Sequence, residues 1–258
     1  MPSPTLDWQI RKSGGPEFFE LSPLPNLALA FFTRRGGTSR PPFDSLNLSY
    51  QVGDSRQCVD ANFHRVGSAL RLPGVFTLQQ VHSDRVVQVG DPGTRTDLLE
   101  GDALFTTLRG VGLAVKTADC LPVYIWSRNS DAIGIAHCGW RGTVARVAAK
   151  LAHVMSRHLS APLPNFDFST GPCICPTCYE VGPDVQDKFK EGFGEESKFI
   201  VHDMRLDIRA ANRHMLLELG LAEATPLALC SAENQGALYS ARRASPTGRN
   251  LAVITVRR

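Results

Sequence analysis

One thiol and two imidazoles, far apart along the chain, are the residues best suited to chemistry. His82 closes the segment TLQQVH, Cys120 opens CLPVYIW, and His137 closes AIGIAH, 137 − 120 = 17 residues after the cysteine. Two neutral imidazoles and one thiolate suit a zinc ion. Three protein donors leave a fourth position for water or substrate, the pattern of a catalytic rather than a structural site. None of the three belongs to an HExxH or paired CxxC motif, so spacing alone does not demand a metal. Each taken singly also fits a plain reading, a buried inert cysteine or a hydrogen-bonded histidine. A metal-free alternative makes Cys120 a nucleophile and His137 its base, as in cysteine hydrolases and amidases. Asp119 adjoins the thiol and could serve as a hydrogen-bond acceptor behind it or as a base.

A second group of thiols lies in GPCICPTCYEVG, with Cys173, Cys175 and Cys178. Cys175 and Cys178 could form a redox pair. A structural zinc site there would need Cys230 or a histidine to complete it. Pro176-Thr177 favours a turn in any case, and the plain turn is the preferred reading. Arginines stand in glycine-rich turns: Arg34 in TRRGG, Arg141 in GWRGT, Arg242 in YSARR and Arg249 in TGRN. Guanidinium forks grip phosphate or carboxylate, and neighbouring glycines let backbone N–H groups approach an anion. Arg34 with Gly36-Gly37 suits a phosphate, and Arg242 is a second candidate. Arg141 reads as structural, because a cation at a helix start is mildly unfavourable.

These side chains need rigid supports. Gly112 to Val115 and Leu121 to Trp126 are short, apolar and bounded by turn residues, so they read as two buried strands with the polar knot Lys116-Thr117-Ala118-Asp119-Cys120 between them. Leu27 to Phe32, a piece from Phe76 ending at His82, Val86 to Val89, GDALFTT, Ala132 to Ala136 and Leu251 to Val256 read likewise. A tight turn is expected over His137 to Gly142. After it Val144, Val147, Ala148, Leu151, Met155 and Leu159 fall on one helical face. DANFHRVGSALRL predicts a short amphipathic helix, and Asp207 to Leu219 a second one stopped by Gly220. Residues 1–25 carry five prolines and read as a loosely ordered lead-in with one strand. Without an internal repeat or a linker-like stretch, residues 1–258 read as one α/β domain.

Composition narrows the function classes. The chain has 258 residues, 43% hydrophobic and 21% charged, with 28 basic against 25 acidic residues. A net charge of +3 does not call for a nucleic-acid partner. No stretch approaches the ~18 apolar residues of a membrane helix. The opening MPSPTLDWQIRKSGG lacks the apolar run of a signal peptide, so a cytoplasmic location is expected. Seven cysteines, an odd number, then favour free thiols, a metal ligand or a nucleophile over a disulfide framework. A monomer is compatible with this size.

Eight segments in order, FFTRRGGTS, LNLSYQVGD, LQQVHSDRV, GDALFTT, TADCLPV, AHCGWRGTV, GPCICPTCYEVG and YSARRASPTGRN, resemble the YfiH-type family, also called the laccase-domain or multicopper polyphenol oxidase-like family. The resemblance spans about residues 30 to 255. It implies a layered α/β arrangement of mixed sheets with flanking helices, distantly similar to a cysteine-hydrolase-like toxin deamidase. It implies zinc held by His82, Cys120 and His137, and Arg34 at the phosphate or substrate end of the pocket. The implied activity is phosphorolysis of adenosine, inosine and methylthioadenosine with deamination of adenosine, so the partners are a small-molecule nucleoside and phosphate. Hydrolytic attack at C6 of adenine asks for a carboxylate that shuttles protons, and Asp119 is nearest in sequence. An older assignment for the family is copper-dependent phenol oxidation, which makes Cu²⁺ the alternative metal, and some relatives are linked to editing of cell-wall peptide precursors. The chain departs from the family at Cys138, where a small alanine is usual, and in its thiol-rich Cys173/Cys175/Cys178 stretch.

Overall fold

A computed structural model of the protein describes residues 7–12, 15–93 and 96–258. Two six-stranded mixed sheets form its centre. The first runs Gln9–Arg11, Phe18–Leu21, Leu27–Phe32, Asn250–Val256, Gly112–Thr117, Val75–Phe76. The second runs Ala222–Glu223, Phe166–Thr170, Leu121–Ser127, Ile133–Cys138, Ala103–Thr106, Val86–Gln88. Pairing is mostly antiparallel, with parallel contacts at the Val75–Phe76, Val86–Gln88 and Ala222–Glu223 edges.

The apolar runs follow from burial on both faces. Successive side chains of a strand point to opposite faces. In Leu121–Ser127, Leu121, Val123 and Ile125 pack with the Val147–Leu159 and Ile208–Glu218 helices, while Tyr124 and Trp126 turn the other way. The latter two meet Leu29 and Phe31, Leu113 and Val115, and Ala252 and Ile254 of the first sheet, so a shared core lies between the sheets. The Arg56–Leu70 helix covers the outer face of the first sheet through Val66 and Leu70. The result is helix, sheet, sheet, helix, the layered arrangement of mixed sheets and flanking helices that the family resemblance implies. Among the described residues no helix is long and apolar enough to cross a membrane.

Several elements differ from their sequence readings. Of the lead-in, residues 1–6 and 13–14 lie outside the described residues. The rest includes two strands rather than one, because Gln9–Arg11 pairs with Phe18–Leu21 and that strand pairs with Leu27–Phe32. Such tertiary pairing overrides a weak local pattern. His82 does not end a strand: pairing there is limited to Val75–Phe76 and a single bridge at Gln79, and the residue sits in a loop with φ +59°. His137 lies inside Ile133–Cys138 rather than at its end. The helical face read from Val144 to Leu159 is interrupted. A short helix, Trp140–Val144, is followed at Arg146 by a left-handed residue (φ +60°) before Val147–Leu159 begins. The Pro183–Phe193 helix and the Phe166–Thr170 strand had no counterpart in the sequence reading.

Candidate metal-binding active site

The polar knot is the turn between two strands that belong to different sheets. Gly112–Thr117 ends in the first sheet and Leu121–Ser127 begins in the second. Asp119 takes φ +94°, a left-handed conformation that reverses the chain within three residues and leaves Cys120 half-buried at the rim. Across the ladder, Leu121 opposes Cys138 and Pro122 opposes His137. His137 therefore stands one step from the thiol and shares the inter-sheet face with Ile133 and Ile135.

His82 arrives from the third direction, and a buried carboxylate brings it there. Asp102 is 0% exposed, at the head of Ala103–Thr106. Its Oδ2 accepts hydrogen bonds from the Ser83 amide at 2.6 Å, the Ser83 hydroxyl at 2.9 Å and the Val81 amide at 3.2 Å; its Oδ1 accepts from the His82 amide at 3.1 Å. The same Oδ1 lies 2.9 Å from Nδ1 of His137. With Nδ1 engaged, Nε2 is the nitrogen that remains for a ligand, the arrangement in which a carboxylate orients a metal-binding histidine. Burial pushes the Asp102 carboxyl up, but His137 and Ser83 outweigh it and hold the group below its ordinary 3.8. Sequence reading passed over this residue. The available signal was an acid immediately before the buried run ALFTT.

His82, Cys120 and His137 each direct one donor atom into a common space, all within 4.8 Å of one another. Nε2 of His82 is 3.9 Å from the Cys120 sulfur, and the two imidazoles meet edge to face with centroids 5.0 Å apart. Burial raises the Cys120 thiol, yet the nearby imidazoles, His137 foremost, bring it down to about 6. Burial lowers His137, but Cys120 and Asp102 raise it to about 9. A thiolate beside the His137 imidazole describes donors that attract a metal once the imidazole is neutral.

The space between the donors is kept clear by Gly139. A Cβ at that position would come within 2.8 Å of His82 Cδ2 and 3.1 Å of Cys120 Sγ. The donor set and this cradle together fit a soft or borderline divalent ion. Cys138 offers no alternative. It is 0% exposed within the core beneath Val147–Leu159, and burial pushes its thiol well up.

A cavity of about 240 Å³ opens beside Cys120, lined by Asp119, Ile174, Tyr179, Ile208, Ala241 and Arg242. Asp119 turns its carboxylate to the loop around it. Oδ1 accepts from the Ser231 hydroxyl at 2.6 Å and Oδ2 from the Arg242 amide at 2.7 Å. Arg242 lies over the Tyr179 ring, 5.3 Å from its centroid, and both its terminal nitrogens donate to the Glu180 carbonyl. Arg34 is placed differently. It donates to the carbonyls of Asp44 and Gln235, pairs with the Asp44 carboxylate at 3.2 Å and stacks on Tyr239 at 4.7 Å, so its fork clasps a loop outside this cavity's lining. Arg141 stacks on Trp140 at 4.2 Å. Arg249 joins the site electrostatically: burial lowers its guanidinium, against the pull of Cys120 and Asp119.

Lys116, the remaining charge of the knot, points toward the loop that carries His82. Its Nζ donates to the Leu78 carbonyl at 3.0 Å, while its backbone N–H and C=O pair with the Gln80 side-chain amide at 2.8 Å each. The lysine thus straps the approach to His82 onto the Gly112–Thr117 strand.

Two packed mixed sheets with a two-histidine, one-cysteine donor set at their common rim define an α/β protein with a metal-competent site where its sheets meet. The chain belongs to the family described as multi-copper polyphenol oxidoreductase laccase, whose model matches residues 28–257. It is 39% identical over 236 residues to a protein of Deinococcus radiodurans named purine nucleoside phosphorylase, covering 89% of this chain and 90% of that one. It is 32% identical over 231 residues to adenosine deaminase RL5, from an unknown prokaryotic organism, covering 83% of this chain and 88% of that one. Its fold is similar to the crystal structure of YlmD from Geobacillus stearothermophilus, with a TM-score of 0.87, 30% identity, and coverage of 96% and 99% of the two chains.

Proposed function

We propose that this protein is a zinc-dependent purine nucleoside enzyme that cleaves adenosine, inosine or methylthioadenosine with phosphate and also deaminates adenosine. The convergence of His82, Cys120 and His137 beside the cavity lined by Asp119, Tyr179 and Arg242 carries this reading. The names borne by the relatives in Deinococcus radiodurans and of RL5 support the same chemistry. An ion bound by the three donors would supply Lewis acidity at a position left for an outside group.

The remaining residues have roles that follow from their places. Ile174, Ile208 and the ring of Tyr179 offer apolar walls for a flat purine. In phosphorolysis a phosphate oxygen bonds to C1′, the bond from C1′ to the base breaks, and the base leaves with the electron pair and takes up a proton. Arg242 borders the cavity and serves the phosphate. Arg34 serves it from the outer loop, on exchanging its contacts with Asp44 and Gln235 for phosphate oxygens. In deamination a water oxygen adds at C6 and ammonia departs, with Asp119 moving the protons on exchanging its bond from the Ser231 hydroxyl for the reacting groups.

The experiment is product identification on adenosine at fixed concentration, with and without phosphate. Adenine and ribose 1-phosphate that arise only with phosphate, beside inosine in both cases, are the expected products. Identical product mixtures would remove the phosphorolytic branch.

The family's description favours a second reading, a copper-dependent phenol oxidase. Imidazole and thiolate bind divalent copper more tightly than zinc, so activity gained on copper loading distinguishes little. Multicopper oxidation needs several histidines around more than one ion. Among the described residues the three candidate metal groups contain two, one and no histidines. Nucleoside chemistry is therefore the preferred reading, and a Cys120–His137 hydrolase acting on cell-wall peptide precursors stands behind it.

A further inference from the structure

Opposite the Asp119 side of this loop system lies a second cluster that the function above does not use. Cys175, Cys178, Cys230 and Glu233 each direct one donor atom into a common space, all within 4.8 Å of one another. The two halves are remote in sequence and alike in spacing: Cys-Pro-Thr-Cys over 175–178 and Cys-Ser-Ala-Glu over 230–233. Pro176–Cys178 forms a single 3-10 turn, closed by the Cys178 amide bonding to the Cys175 carbonyl at 3.0 Å. A parallel bridge between Cys173 and Cys230 fixes the two segments side by side.

We propose that these four residues form a structural site for a thiophilic divalent cation, zinc in the first instance, separate from the His82/Cys120/His137 site. Chemistry and geometry agree on this. Glu233 Oε1 sits 3.5 Å from the Cys175 sulfur and 3.6 Å from the Cys178 sulfur. A carboxylate gathered among thiols finds there two weak S–H donors and the Thr177 hydroxyl at 3.5 Å, whereas one cation satisfies all four groups. Thiolates at about 2.3 Å around a tetrahedral zinc stand ~3.8 Å apart, a spacing the cluster reaches with small movements of side chains. The Cys175 amide already donates to the Cys230 sulfur at 3.3 Å, which fixes that sulfur beside the 175–178 turn. Arg243 adds positive charge from outside, its guanidinium 3.5 Å from the Cys178 sulfur, which offsets the excess of negative donors. Four protein donors close the coordination shell, which makes the site structural rather than catalytic.

Its position gives it a task. Between Cys173 and Cys175, the Ile174 amide bonds to the Asp119 carbonyl at 2.9 Å; next to Cys230, the Ser231 hydroxyl bonds to the Asp119 carboxylate at 2.6 Å. Arg243 bonds to the Ala232 carbonyl at 3.2 Å, and its neighbour Arg242 bonds to the other Asp119 oxygen. An ion here ties the 173–178 and 230–233 segments together behind Asp119 and Arg242, so it braces one wall of the cavity without touching what enters it.

Zinc content of the full-length protein, grown with zinc and purified under reducing conditions without chelator, tests the proposal. About two zinc ions per chain are expected in wild type, and about one each in Cys120→Ala and in Cys178→Ser/Cys230→Ser. Cobalt loading of the Cys120→Ala protein supplies a readout independent of activity. Thiolate-to-cobalt charge transfer should appear, fall by about a third in the added Cys175→Ser variant, and shift without loss of thiolate intensity on Glu233→Gln. Glu233 is exposed, so Glu233→Gln keeps the test informative should a cysteine variant fail to fold. The Glu196, His214 and Glu218 group has no thiolate and adds nothing to that band. Absence of the band in Cys120→Ala, or a disulfide within the cluster in reduced, zinc-grown protein, would overturn the proposal.

Discussion

Asp102 and His137 form a buried pair, Oδ1 to Nδ1 at 2.9 Å, and the same carboxylate gathers the backbone of the loop that carries His82. One side chain therefore sets two of the three candidate metal ligands. Its replacement should act on metal affinity before it acts on fold. Asp102→Asn preserves the shape and one acceptor but loses the charge. Zinc affinity at the His82 site should fall about 10–100-fold, as for other carboxylates behind a metal-binding histidine. Chelator competition on the Cys178→Ser/Cys230→Ser background, where the second cluster is silent, measures this. Unchanged affinity would mean that the carboxylate only shapes the loop.

Gly139→Ala should disturb the same site sterically. The added methyl would stand 2.8 Å from His82 Cδ2, closer than real contacts allow. Gly139 has φ −75°, so the backbone itself accommodates alanine. The His82 ring must therefore yield. Overpacking of this kind costs about 1–3 kcal/mol, or displaces the ring at lower cost. Zinc affinity should drop at least tenfold while far-ultraviolet circular dichroism stays that of wild type. Full affinity in Gly139→Ala would show that the cradle has slack that the packing does not suggest.

Lys116 gives the pH dependence of stability a defined sign. Burial, followed by repulsion from Arg249, lowers its ammonium from 10.5 to about 8. Between those values the unfolded chain binds the proton and the folded chain does not. Stability should therefore rise as pH increases from about 8 to 10.5, with the burial penalty fully present below 8. The rise across that window is of the order of 2–3 kcal/mol. Lys116→Met removes it, whatever that variant loses in the bond to Leu78. Urea denaturation midpoints at about pH 7.5 and about pH 10.5, for both proteins, measure the difference. A wild-type curve that is flat or falls relative to Lys116→Met would contradict the assignment.

The sequence disclosed more of the site than of its supports. His82, Cys120 and His137 stand out because imidazole and thiol beside buried apolar runs are chemically conspicuous, and the chain brings all three together. The paired strands around Cys120 were legible because strands buried on both faces read as unbroken apolar runs. Asp102 was hidden for the opposite reason: a lone acid in front of ALFTT looks like a strand end, and only the fold reveals that it faces a histidine 35 residues away. Arg34 stood out beside Gly36-Gly37, yet its fork is taken up by Asp44 and Gln235, partners that no local pattern announces. Pro183–Phe193 escaped because its buried face is only Val185, Phe189 and Phe193, a stripe too thin to register among charged neighbours. The break at Arg146 was invisible because apolar spacing continues across it while the backbone turns left-handed for one residue.

The most direct measurement couples bound zinc to turnover of adenosine in Cys120→Ala and wild type, with the products identified in phosphate buffer. Loss of the ion held with His82 and His137, together with a loss of turnover of at least about 100-fold, is the predicted result. A Cys120→Ala protein that releases adenine or inosine at the wild-type rate would contradict it.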